Sequence, residues 1–156
     1  MIPSEIIIIN LEEIRRRSIK LWKGIPPENY FWQPDINAMN FLEMVRHVLE
    51  GEHLFHIIVK NRKDLDDYIS PWTNLPYTDL QAELEFAEPF RVAFLKEIRE
   101  FNPIDFSTIE IIRSEKGQQR QLGDYLQRVA YHETVHTGQM LSYMRTLRLE
   151  IPQIWD

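Results

Sequence analysis

The sequence predicts an all-α four-helix bundle, and three observations carry that prediction. Apolar residues recur every three to four positions in four separate stretches. Each stretch is long enough, at about 14 to 25 residues, to make a bundle helix rather than a surface turn. One connection, residues 61–77, is polar and too long for a tight antiparallel turn, so it reads as a crossover that places helix three beside a non-adjacent partner.

Helix one is expected from Asn10, as N-cap, to Lys23, with Leu11, Ile14, Ser18 and Leu21 on one face and Gly24, Pro26 and Pro27 stopping it. The connection that follows carries Tyr30, Phe31, Trp32 and Pro34, too aromatic for a solvated linker, and is expected to pack over one end of the helices. Helix two runs from about Asn37 to Lys60, with Met44, Val48, Gly51, Phe55 and Ile58 along its inner face. His47 flanks that face, His53 points to the other side, and His56 reads as a surface residue. Gly51 lies one turn beyond His47, where it leaves a bare patch for a ligand or for a closely approaching helix.

Thr78 is expected to cap helix three, with Gln81 in the capping-box position and Leu80, Leu84, Ala87, Phe94 and Ile98 on its apolar face. Pro89 should kink it. Residues 106–113 alternate loosely before a turn at Glu115, Lys116 and Gly117, the pattern of a short hairpin or extended segment. Helix four runs from about Gly123 to Leu147. No repeat or second hydrophobic unit interrupts the chain, so residues 1–156 read as one domain.

Composition narrows the function classes. A chain of 156 residues with 44% hydrophobic residues needs no staple to build a core. Having no Cys, it can have neither disulfides, thiolate metal sites nor a cysteine nucleophile, which leaves His, Asp and Glu as the strong metal ligands. A formal charge of −6 argues against nucleic acid as the main partner. The basic run Arg15-Arg16-Arg17 spreads around a helix and reads as a solvated face. Ile6 to Ile9 is too short to span a bilayer and follows no basic segment, so a cytoplasmic protein without membrane contact is expected.

The chemistry concentrates in the last helix. His132 and His136 stand four apart within the apolar series Tyr125, Val129, Met140, Tyr143 and Leu147, so both imidazoles lie on the buried face and can converge on one point. On spacing alone they are either two ligands of one metal ion or two half-buried core histidines. If helices two and four are neighbours, His47 can face both, and three neutral imidazoles with an open position is the arrangement of a catalytic rather than a structural metal site.

With these residues in place the chain resembles the DinB-like (DinB/YfiT) four-helix bundles. The resemblance rests on Phe41 to Glu52 in helix two and on His132-x-x-x-His136-Thr137-Gly138-Gln139, which matches the family's H-x3-H-x-G-Q. It extends to Trp32 and Pro34 ahead of helix two and to Leu122-Gly123-Asp124 opening helix four. It implies up-down-down-up topology, a divalent ion (nickel or zinc) on His47, His132 and His136, and frequently a homodimer. It also implies a small-molecule substrate: some relatives are metal-dependent transferases or isomerases that use low-molecular-weight thiols, and others are classed as hydrolases. Trp72, Tyr77 and Trp155, in poorly structured segments, fit a dimer because they need somewhere to pack.

One departure is Glu133, which turns the motif into a literal H-E-x-x-H, the zincin signature in which the Glu acts as general base of a peptidase. Such an enzyme needs a third ligand, commonly downstream, where this chain offers Glu150 and Asp156 but no His. No sheet is expected to hold an extended peptide, and Glu133 reads as a solvated helix carboxylate, with assistance to a metal-bound water as the alternative.

Overall fold

The computed structural model describes residues 1–155. Its long helices are α1 (Pro3–Lys23), α2 (Phe41–Asn61), α3 (Leu80–Glu100) and α5 (Leu122–Thr146), with a single helical turn, α4 (Asp105–Thr108), and a two-stranded antiparallel hairpin of β1 (Glu110–Arg113) and β2 (Gln118–Gln121) between the last two.

Local capping explains where these helices differ from expectation. Helix α1 starts seven residues before Asn10, because Pro3 occupies the first turn and the Glu5 carboxylate accepts a hydrogen bond from the Ile2 N–H at 3.0 Å. The isoleucine run then divides around the helix, with Ile7 and Ile8 in the core and Ile6 and Ile9 exposed. Helix α2 begins at a complete capping box: Asn40 Oδ1 accepts from the Glu43 N–H at 2.9 Å, and Glu43 Oε2 accepts from the Asn40 N–H at 2.8 Å. The cap of α3 is Asp79 rather than Thr78, and the helix continues unbroken through Pro89. Gly117, at φ +59°, supplies the left-handed residue that the hairpin turn needs.

Pairs between helices fix the topology. Asn10–Gln127, Arg15–Glu133 and Ser18–Thr137 advance together, so α1 and α5 are parallel. Arg46–Glu83, Glu52–Arg91 and His56–Glu97 do the same for α2 and α3. His47–His136 and Phe55–Tyr125 run in opposite directions, making α2 and α5 antiparallel. Helices α1 and α3 are antiparallel likewise, with Glu12 at Arg99 and Ile19 across a hollow from Leu84. The bundle is therefore up-down-down-up, with residues 62–79 as the crossover between parallel neighbours.

The crossover is anchored rather than merely solvated. Trp72 is buried against Phe86 and Phe90, and Arg46 reaches out of α2 to the Leu75 and Pro76 carbonyls while lying over the Tyr77 ring. Trp72 is thereby packed within the chain. The aromatic connection also packs as expected, Trp32 meeting Phe41 and Tyr143 over one end of the bundle.

Two apolar clusters fill the interior, one toward each end. Between them lies a ring of buried charge to which every long helix contributes: Arg15 from α1, Glu52 from α2, Arg91 from α3 and Glu133 from α5. Arg15 donates to both Glu133 oxygens at 2.8 and 3.0 Å and lies 3.3 Å from Glu52, which also pairs with Arg91. Arg91 further donates to the Leu11 carbonyl. Two expectations are corrected here. Arg15 is 5% exposed, so the basic run is not a wholly solvated face, and Glu133 is 3% exposed, not a solvated carboxylate. A charge can be taken from water when it meets its opposite in bidentate geometry, and this pair does.

A candidate metal centre on the seam of two helices

The antiparallel seam of α2 and α5 brings His47, His132 and His136 together, and one ligand nitrogen from each falls within 4.8 Å of the others. His132 Nε2 lies 3.0 Å from His47 Nε2 and 3.1 Å from His136 Nε2. Two of the rings come from successive turns of α5, and α2 approaches closely because Gly51 faces them. A Cβ there would stand 3.0 Å from His132 Cε1, so the bare patch accommodates the His132 ring.

Helix α2 sorts its three histidines differently from the sequence expectation. His47 is exposed at the mouth of the seam, whereas His53 and His56, on the side away from the cluster, are buried. His53 packs on Phe90 and Trp72, and His56 stacks on Phe94 with its Nε2 2.8 Å from Glu97. The crossover and α3 cover that face of α2, which periodicity within α2 could not show.

The donor set fits a divalent ion. His136 Nδ1 lies 2.6 Å from Gln139 Oε1, so its ring proton is held on Nδ1 and Nε2 presents a lone pair to the cluster. Neutral imidazoles carry one ring proton each, leaving at most two for three mutually close nitrogens; one cation satisfies all three. Nitrogens bound at about 2.0–2.1 Å to a tetrahedral ion lie roughly 3.3–3.4 Å apart, a few tenths of an ångström wider than found here. Burial, followed by the neighbouring His136 and His47, pulls His132 down to about 4, so its lone pair stays free at neutral pH. Burial lowers His47 in the same direction, with His136 adding to it.

Glu133 stands beside His132 in sequence, but both its oxygens are taken by Arg15. The H-E-x-x-H string therefore lacks a free base. Glu150 is exposed beyond the end of α5, and Asp156 lies outside the described residues. Sequence reasoning missed Arg15, Glu52 and Arg91 as interior residues. The available signal was a charge on an apolar stripe: Arg15 sits between Leu11 and Ser18, and Glu133 follows Val129 by four.

Below the cluster, a hollow of about 390 Å³ opens along the seam. His47, Gly51 and His132 line it at one end, and Leu54, Phe55 and Ile58 supply apolar wall.

Comparison with known proteins agrees with this architecture. A DinB-like protein from Bacillus subtilis is 24% identical, covering 95% of this chain and 96% of its own, with a TM-score of 0.69. A DinB-like protein from Bacillus cereus ATCC 10987 is 13% identical, with coverage of 96% and 95% and a TM-score of 0.75. No curated protein matches. The family model of the DinB superfamily matches residues 10–140, spanning the histidine cluster, and the chain belongs to that superfamily.

Proposed function

We propose that this protein is a metal-dependent enzyme that acts on a small electrophilic molecule, with His47, His132 and His136 as the ligands of one divalent ion, nickel or zinc, and a low-molecular-weight thiol as co-substrate. The observation that carries the proposal is the convergence of three ring nitrogens at the edge of a partly apolar hollow, with no protein carboxylate among them. A closed fourth protein ligand would speak for storage, and none stands in this cluster among the described residues. Bound there, the ion would lower the pKa of a coordinated water or thiol and so prepare a nucleophile.

The chain's own residues supply the rest. Gln139 fixes the tautomer of His136, burial keeps His132 neutral, and Gly51 gives the His132 ring its place. Leu54, Phe55 and Ile58 offer a wall from which water is excluded when an apolar group enters. Peptidase chemistry is disfavoured by the Arg15–Glu133 pair, which occupies the carboxylate that would act as base.

The reading includes a homodimer, supported by exposed Ile2 at the cap of α1, by exposed Ile6 and Ile9 on it, and by Trp155, 70% exposed. Light scattering near 18.8 kDa at high micromolar concentration would remove that part. The function is tested by elemental analysis of freshly purified protein, then by a screen of thiols against electrophiles with the metal-loaded form. Turnover that disappears in His47→Ala is expected. One tightly held ion per chain with no turnover across the screen would favour a non-catalytic binding protein.

A further inference from the structure

The hollow beside the histidine cluster is apolar in its middle and cationic at its far end. Along α5, His132 and Tyr125 are seven residues apart, about 10 Å of helix rise. At the Tyr125 end the β1–β2 hairpin closes over the seam and brings Arg113 and Lys116 to the lining. The hairpin is held there by the Ile112 N–H, which donates to the Arg62 carbonyl at 2.9 Å, and by Arg113 Nε, which donates to Asp64 Oδ1 at 2.8 Å. Asp64 thus engages one edge of the guanidinium.

Two features distinguish this end. Lys116 is exposed and forms no ion pair among the described residues. The Tyr125 hydroxyl is buried beside the Arg113 guanidinium, short of a well-formed hydrogen bond, in a residue only 1% exposed. Burial raises that hydroxyl to about 12, so it remains a donor at neutral pH. The acidic balance of the chain makes a paired cationic lining here a local exception rather than a reflection of overall charge.

We infer that the ligand docking at the open face of the cluster carries an anionic group, a carboxylate or another oxyanion, at the end of an apolar segment about 10 Å long, and that Lys116 and Arg113 receive it. Leu54, Phe55 and Ile58 face the apolar segment. The inference rests on the metal-site reading above and narrows its substrate class: the anionic end sets specificity through the hairpin, while the histidines hold the reacting end.

The test uses metal-loaded protein and calorimetric titration with 6-mercaptohexanoate, 6-mercaptohexanol, mercaptoacetate and mercaptoethanol. The long acid should bind about tenfold more tightly than the long alcohol, as expected for a charge-assisted hydrogen-bonded contact. The short pair, unable to span the hollow, should show no such preference. Lys116→Glu, at an exposed position, should collapse the preference by weakening the long acid, and Arg113→Gln should reduce it. Equal binding of the long acid and alcohol, or a preference that survives both variants, overturns the inference and leaves the metal reading standing. Metal uptake with no metal-dependent binding of any thiol would overturn the inference together with the thiol co-substrate proposed above, whereas a failure to take up metal would overturn the site reading itself.

Discussion

Two polar assemblies share the middle of this bundle, and they are built on opposite terms. The Arg15–Glu52–Arg91–Glu133 ring joins all four long helices, and each of its charges meets an opposite charge inside the chain. The His47–His132–His136 cluster joins two helices, opens to solvent at His47, and brings together three groups that compete for protons rather than complement one another. The ring is complete within the folded chain, whereas the cluster gathers three nitrogen donors with no opposing charge among them. That contrast separates a structural role from a chemical one, even though Glu133 and His132 are consecutive residues.

The sharpest way to break the comparison is to remove one member of the ring. Glu133→Ala leaves Arg15 buried with its bidentate partner gone, and the expected loss is about 3–5 kcal/mol. At about 2–4 °C per kcal/mol for a chain of this size, the melting temperature should fall by roughly 6–20 °C. Replacing both Arg15 and Glu133 with apolar residues of similar volume should recover much of that loss. If Glu133→Ala instead kept its melting temperature and lost only turnover, Glu133 would be a catalytic base and the ring a coincidence of packing.

A smaller effect is expected from acid. His132 in the fold titrates near 4, below its ordinary 6.5, because burial and two neighbouring histidines disfavour the protonated ring. Between those values the unfolded chain binds the proton more readily, so the stability of the metal-free protein is full above about 6.5 and declines as pH falls toward 4. Urea unfolding at pH 7 and pH 5 checks the sign, and His132→Ala should flatten part of the difference. A metal-free protein more stable at pH 5 than at pH 7 would contradict the environment assigned to that ring.

Gly51→Ala should have the least effect on folding and a clear effect on the site. The added methyl stands 3.0 Å from His132 Cε1, so the ring must yield by a few tenths of an ångström, while helix propensity improves by about 0.5–1 kcal/mol. Metal affinity is expected to drop severalfold at nearly unchanged melting temperature. Unchanged affinity would mean that the ring has more freedom than the close approach implies.

The cluster was legible in the sequence because its information is local: two histidines are one helical turn apart, and the third follows once helices two and four are neighbours. The ring was not, because a charged residue on an apolar stripe reads as solvated until its partner on another helix is known. Arg15 stands four residues from Leu11 and Glu133 four from Val129, a spacing that residue type outweighed when both were read as solvated; the bidentate pairing decides the matter. His53 and His56 were misplaced for a related reason, since the crossover and α3 bury a face of α2 that looks free when α2 is considered alone. The early start of α1 turned on Pro3 and Glu5, a cap that Asn10 obscured.

The central claim is that the three histidines hold one divalent ion, and its most direct test is a competition titration of nickel and zinc against a chromophoric chelator, paired with melting curves before and after metal removal. The account predicts one ion per chain. At a hundredfold excess over Kd the bound ion should contribute about 2.7 kcal/mol of stability, nearly all of it absent in His47→Ala, His132→Ala and His136→Ala. His53→Ala, buried on the opposite side of α2, should lower the melting temperature of both forms and leave the metal-dependent difference intact. A metal response unchanged in His47→Ala but lost in His53→Ala or Glu150→Ala would contradict the assignment.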